Sequence, residues 1–145
     1  MPRKNLLDVN VLIALTEPGH EHYRKAQEWF DSSIGGNLGV CPFTESGFIR
    51  LTTNPAFRPG PRSLELAIAI IQFLKGHPGY WYCLIDESWV TLTAPFAARI
   101  SGHQQVTDAF LLGLAIKENG VLVTFDKGIQ YMASAEFSQN VLLLE

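Results

Sequence analysis

The sequence predicts an α/β layer fold built on a parallel sheet. Three observations carry that prediction. Short apolar runs of strand length alternate along the chain with amphipathic stretches of helix length. One run, Val121 to Phe125, is apolar enough to be a strand buried on both faces. No internal repeat, charge block or long linker divides the 145 residues, so one domain spanning 1–145 is expected.

The elements follow in order. Asn5 to Leu7 reads as a first strand, and Val9 to Leu15 as a brief helix stopped at Pro18-Gly19. Glu21 to Ser32 reads as a helix because Tyr23, Ala26, Trp29 and Phe30 share one face; Gly35-Gly36-Asn37 breaks it. Leu38 to Cys41 is a strand. Pro42 suits a first helical turn, and a helix continues through Phe48, Ile49 and Leu51. Asn54 to Arg62 is a proline-rich irregular loop. Ser63 caps a helix from Leu64 to Lys75, which ends at His77-Pro78-Gly79. Tyr80 to Ile85 reads as an aromatic-rich strand. Pro95 interrupts Trp89 to Ile100, and no regular element is assigned there. Gln104 to Glu118 is a helix with Asn119-Gly120 as its stop. Val121 to Phe125 and Val141 to Leu144 are the last strands.

Apolar residues make up 47% and charged residues 17%, which excludes a disordered chain. No apolar run reaches the roughly 18 residues of a membrane span. The opening MPRKNLLDVN lacks the apolar core of a signal peptide. Cys41 and Cys83 each sit in an apolar run and read as small buried hydrophobes of a cytoplasmic protein. The four histidines show no metal-ligand spacing. A net charge of −3 gives no global basic footprint for nucleic acid.

Four acids stand in unusual places. Asp8 and Asp126 each directly follow a strand, at the sheet edge where open α/β folds bind ligands. Glu45 has Phe48, Ile49 and Thr52 at helical offsets, and Asp108 has Leu111, Leu112 and Ala115. Each of these two therefore points along an apolar stripe, where an unpaired charge is expensive. Taken singly, such an acid is most often a turn or helix cap. Taken together, they suggest a cluster. Two carboxylates about 5 Å apart repel by about 3 kcal/mol at an effective dielectric near 20. Several such pairs rival the ~5–15 kcal/mol stability of a domain. The cluster must take up protons or hold a cation, and an all-oxygen donor set suits Mg²⁺ or Mn²⁺.

The segments Asp8-Val9-Asn10-Val11-Leu12-Ile13, Thr44-Glu45-Ser46-Gly47-Phe48-Ile49-Arg50-Leu51, Thr107-Asp108-Ala109-Phe110-Leu111-Leu112-Gly113-Leu114-Ala115 and Thr124-Phe125-Asp126-Lys127-Gly128 closely resemble the four motifs of PIN domains. More narrowly, they resemble the VapC toxins of bacterial toxin–antitoxin pairs. The Asn54-Pro55 and His77-Pro78 dipeptides are similar to a VapC subgroup common in mycobacteria. The resemblance spans nearly the whole chain, in order. It implies a PIN-like fold, with a central parallel sheet flanked by helices on both sides. It also implies a Mg²⁺-dependent endoribonuclease, with Mn²⁺ as a substitute, that leaves a 3′-hydroxyl and a 5′-phosphate. Carried over, Asp8 and Asp108 would be direct metal ligands. Glu45 would hold a metal-bound water or a second ion, and Asp126 would act directly or through water. Asn10 and Thr124 match supporting polar positions. The implied partners are an RNA substrate (transfer, ribosomal or messenger), a VapB-type antitoxin and a second copy of the chain. Operator DNA would be met only through the antitoxin.

Setting the four acids aside turns the net charge from −3 to +1, so a metal-loaded chain would not strongly repel RNA. Arg50, Arg58, Arg62 and Lys127 are candidate backbone contacts; the proline-rich loop would present Arg58 and Arg62 at low entropy cost. Trp81 and Tyr82 are expected to pack the sheet or a subunit contact rather than stack bases. Asp8-Val9-Asn10 also resembles the opening of haloacid-dehalogenase-type phosphatases, but Asn10 replaces the second carboxylate of that motif. A catalytically silent binding module is the remaining alternative.

Overall fold

The computed structural model describes residues 3–32 and 37–145. The expected break at Gly35-Gly36 lies outside the described residues. A five-stranded sheet of β1 (Asn5–Leu7), β2 (Leu38–Val40), β3 (Tyr80–Tyr82), β4 (Val121–Thr124) and β5 (Val141–Leu143) has the order β3-β2-β1-β4-β5. Every pairing is parallel; Leu6 pairs with Gly39 on one side and with Leu122 on the other. The described helices are α1 (Val9–Thr16), α2 (Tyr23–Ser32), α3 (Pro42–Thr53), α4 (Leu64–Lys75), α5 (Trp89–Thr93), α6 (Val106–Lys117) and α7 (Lys127–Ala133).

Alternation along the strands divides the core in two. Leu6 and Leu122 face a cluster built with Leu92, Leu111, Leu112, Ile129 and Met132, from α5, α6 and α7. Leu7 and Val123 face the other way, into a cluster with Val11, Leu12, Phe48 and Ile71, from α1, α3 and α4. The sheet is thus covered on both faces, as a parallel sheet requires. Cys41 and Cys83 are buried free thiols in the first cluster, as expected. Among the described residues, no helix is long and apolar enough to cross a membrane.

Several boundaries differ from the sequence reading. β3 ends at Tyr82 rather than Ile85. The Cys83 N–H still bonds the Val40 carbonyl at 2.8 Å, but beyond that point the neighbouring chain has turned into α3 and offers no partner. Pro95 does interrupt its segment: α5 stops at Thr93, and a 3₁₀ stretch, Ala94–Arg99, follows with Phe96 at φ −131°. A single 3₁₀ turn, His103–Gln105, precedes α6. Helix α7 was not expected at all; Ile129, Met132 and Ala133 form its buried face. On α4, Ile71 is buried, but Ile68 turns outward with Leu64, Leu66 and Phe73.

The α5–α6 contact tolerates no side chain at Gly113, where an added Cβ would lie 2.7 Å from the Leu92 carbonyl oxygen. Backbone there cannot yield as a flexible side chain would. Gly113→Ala is expected to lower unfolding stability by about 1–3 kcal/mol despite alanine's better helix propensity, as urea denaturation would measure.

Candidate functional site

Asp8 and Asp126 begin as helix caps. Each sits in extended backbone at the C-terminal end of a strand, and each side chain accepts from a backbone N–H of the helix that follows. For Asp8 the donor is Val9, at 2.8 Å; for Asp126 it is Gly128, at 2.7 Å. β1 and β4 are adjacent, and the chain leaves β1 toward β2 on one side while β4 continues to β5 on the other. This is a topological switch point, the edge at which open α/β sheets bind ligands, and both acids stand there.

Thr124 ties them together. Fully buried at the end of β4, its hydroxyl donates to Asp8 Oδ2 at 2.8 Å and accepts the Asp126 N–H at 3.0 Å. Asp8 is only 5% exposed and its two named bonds fix both oxygens. Burial nevertheless wins over these bonds and lifts its carboxyl above the ordinary range, with the Asp126 charge adding to the rise.

Asp108 arrives from the opposite direction, in the first turn of α6, the helix that leads back to β4. Burial pushes its carboxyl up to about 7, followed by the charges of Asp8 and Asp126 and a hydrogen bond shared with Asp126. Asp8 and Asp108 line one hollow of about 420 Å³ with Phe43, Thr44, Ser46, Gly47, Arg50 and Thr107. Asp108 and Asp126 line a second, of about 350 Å³, with Ser101, His103 and Gln105.

Glu45 does not join them, which corrects the expectation of a four-acid cluster. It occupies the first turn of α3, but its side chain lies in a third hollow, of about 450 Å³, with Lys75, Tyr80 and Tyr82. Its Oε2 is 3.9 Å from Lys75 Nζ, buried and without a hydrogen bond. The attraction of an ammonium and the repulsion of three aspartates act in the same direction.

The supporting residues also separate. Thr124 is central, whereas Asn10 is exposed on α1 and outside the linings of these hollows. Arg50 is exposed on the rim of the Asp8–Asp108 hollow. Lys127 is exposed at the start of α7, next to Asp126. Arg58 is exposed but folds back onto its own loop, bonding the Pro55 and Phe57 carbonyls. Arg62 departs from the expectation of a loop arginine offered to a ligand. It is buried, paired with Glu17 at 3.1 Å, bonded to the Thr16 carbonyl at 3.0 Å and packed over Phe48 and Phe57. Sequence reasoning missed Phe43, Ser46, Thr107 and Gln105. Ser46 and Thr107 flank motif acids directly, and that adjacency was the available signal.

No group of three His, Cys, Asp or Glu side chains among the described residues is arranged to hold a metal ion as it stands. The chemistry of Asp8, Asp108 and Asp126 nevertheless fits a hard divalent cation: the donors are all oxygen, and burial, with the neighbouring carboxylate charge added, raises the carboxyls of Asp8 and Asp108. Asp8, held by Val9 and Thr124, presents the fixed donor of the set.

The PIN domain model matches residues 6–135. Ribonuclease VapC38 of Mycobacterium tuberculosis is 37% identical over 139 residues, covering 96% of each chain. Ribonuclease VapC39 of the same organism is 35% identical over 130 residues, covering 90% of this chain and 94% of its own. Among solved structures, FitAcB from Neisseria gonorrhoeae superposes with a TM-score of 0.61 at 15% identity, over 97% of this chain and 96% of that one. VapBC2 from Rickettsia felis, bound to a promoter DNA fragment, gives 0.61 at 10% identity, over 97% and 98%. These two share the fold. The chain belongs to the PIN-domain family and, within it, to the VapC group of mycobacterial type.

The raised Asp108 carboxyl makes metal-free stability depend on pH. Between about pH 4 and 7 the native state binds more protons than the unfolded chain, so stability falls as pH rises through that window. Asp108→Asn is expected to flatten the slope and to stabilise the metal-free protein at about pH 8 by roughly 1–2 kcal/mol. That is well under the full linkage value, because solvent screens a half-buried group. Thermal unfolding in chelator across the pH range measures both effects.

Proposed function

We propose that the protein is a Mg²⁺-dependent endoribonuclease toxin, with Mn²⁺ as a substitute, that hydrolyses RNA phosphodiester bonds and is neutralised by a VapB-type antitoxin. The observation that carries this reading is the crowding of Asp8, Asp108 and Asp126 at the switch point of the sheet, where burial and mutual repulsion favour a bound cation. The two ribonuclease relatives, alike over nearly their whole length, support it.

Asp8, Asp108 and Asp126 would hold the ion, which when bound supplies an activated water and offsets charge building on the phosphate oxygens. Thr124 orients Asp8 through its hydroxyl and Asp126 through its backbone. Asp108, whose carboxyl burial lifts to about 7, would give up its proton on binding an ion. Arg50 and Lys127 are the exposed cations placed to meet phosphate oxygens. Asp8 and Asp126, already fixed by caps, require little side-chain reorganisation.

The partner reading rests on a different surface. α4 exposes Leu64, Leu66 and Phe73, and an apolar hollow of about 480 Å³ opens between α1, α2 and α4. An antitoxin segment or a second copy would cover this surface. FitAcB and VapBC2 support the antitoxin assignment by their fold; operator DNA would be reached only through that partner. The enzyme would act in the cytoplasm as a single PIN domain and assemble as a homodimer.

Asp8→Asn and Asp108→Asn are each expected to reduce RNA cleavage on the order of 10²-fold or more while the fold is kept. EDTA should stop wild-type cleavage, and Mg²⁺ or Mn²⁺ should restore it. Mapping of 5′-phosphate ends in cellular RNA after brief induction reads target and chemistry together; undiminished cleavage by Asp8→Asn overturns the reading.

A further inference from the structure

The hollow shared by Asp108 and Asp126 holds one side chain whose orientation the fold fixes in advance. Gln105 is the last residue of the 3₁₀ turn before α6, and it lines that hollow with Ser101 and His103. Its Oε1 accepts two hydrogen bonds from Ser101, one from the backbone N–H at 2.8 Å and one from the hydroxyl at 3.0 Å. A backbone N–H can only donate, so the atom it meets is the amide oxygen and the other end of the amide is the NH₂. A further bond, from the Gln105 N–H to the Gly102 carbonyl at 3.0 Å, closes the same loop through the backbone.

The Nε2 end takes no part in closing that loop. It reaches the start of α7, where a Cβ built on Gly128 would lie 3.1 Å from Gln105 Nε2 and 3.0 Å from Asp126 Oδ1. The missing Cβ leaves that space open, with an amide donor on one side and a carboxylate on the other. The chemistry of the donor matters here. A lysine or arginine in this place would pair with the aspartates and compete with an ion. A carboxylate would add to the repulsion. A neutral amide does neither, and it offers two N–H donors to an anion held beside the acids.

We propose that Gln105 is a substrate-binding residue of this site: its Nε2 donates a hydrogen bond to a non-bridging oxygen of the scissile phosphate, and Ser101 holds the amide in that orientation. This rests on the ribonuclease reading given above. Ser101 touches no substrate and acts through Gln105 alone. The phosphate oxygen that meets Gln105 is a different one from the oxygen turned toward an ion at the aspartates. A hydrogen bond to a charged group corresponds to about tenfold to hundredfold in a rate or an affinity.

The test uses the RNA site found by mapping 5′-phosphate ends. It is carried on a short RNA in which either non-bridging oxygen of the scissile phosphate is replaced by sulfur, a poor hydrogen-bond acceptor. Wild type, Gln105→Ala, Ser101→Ala and the double variant are compared, with Gln105→Met as a second replacement should the alanine variant fold poorly. Gln105→Ala is expected to lower kcat/KM on the all-oxygen RNA by about tenfold to hundredfold. One sulfur isomer is expected to be cut slowly by the wild type in Mg²⁺ and Mn²⁺ alike, and that penalty to vanish in Gln105→Ala. Ser101→Ala should cost about threefold with Gln105 present and nothing without it. Mn²⁺ affinity, read from the electron paramagnetic resonance signal of the free ion, should be the same in wild type and Gln105→Ala. An equal loss on all three RNAs would mean that Gln105 only supports its loop, and would overturn the proposal. An unchanged rate or a weakened Mn²⁺ affinity in Gln105→Ala would overturn it as well, while leaving the ribonuclease reading standing. A wild-type chain that cleaves no RNA would overturn that reading and this proposal with it.

Discussion

Carboxylate repulsion at the end of a buried strand is the constraint on which the site depends. Asp8 is nearly inaccessible to water, and the sheet leaves it no room to move away. Its oxygens are already committed to Val9 and Thr124, and still its ionised form is disfavoured. Asp108 and Asp126 add charge beside it, and among the described residues none of the three aspartates forms a salt bridge. Protonation of Asp108 near neutrality is one way to relieve this, and a cation is the other. Both answers use the same oxygens, so a proton and a bound metal would compete there.

The fold creates this tension through its topology. β1 lies in the middle of the sheet with β2 and β4 on either side, and each of these strands delivers a helix at the same edge. Asp8 takes the first position after β1 and Asp126 the second after β4, and both act as caps, which anchors them whatever else they do. Leu7 and Val123 pack one face, while Leu6 and Leu122 pack the other. The strand ends therefore have no freedom to relax. A two-sided core of this kind would convert electrostatic repulsion into affinity for a cation, because the scaffold cannot yield to it.

Local and periodic features were legible in the sequence. The strand at Asn5–Leu7, the Pro42 start of α3, the Ser63 cap of α4 and the Asn119-Gly120 stop all depend on residues within one or two turns. What failed to show depends on distant residues. Arg62 looks like an exposed loop arginine until Glu17, 45 residues earlier, takes its guanidinium. Glu45 looks like its fellow acids until α3 turns its side chain toward Lys75 on another helix. Tyr80 to Ile85 has strand composition throughout, but only the part facing β2 finds a partner, since Cys41 has already become a helix cap. Helix α7 was readable from Asp126, Ile129, Met132 and Ala133, but Asp126 was weighed as an acid after a strand and its capping role hid the helix.

These pairings also bear on how such a protein would meet a polyanion. Among the described residues, Arg62 is held by Glu17, Arg99 by Glu136, Lys117 by Asp86, Lys4 by Glu118 and Lys75 by Glu45. Arg50 and Lys127 remain close to the aspartates without such a pairing. Counter-ion release scales with the number of phosphates neutralised, and two cations neutralise few. On the proposed reading, binding energy for RNA would therefore come mainly from an ion at the aspartates and from the shape of the hollows around it. A surface of this kind discriminates by fit at one phosphate, and a strand that cannot place its backbone there gains little from the rest of the molecule. The same scarcity would leave the aspartates open to a basic side chain from a protein partner, because among the described residues none of the three is in a salt bridge.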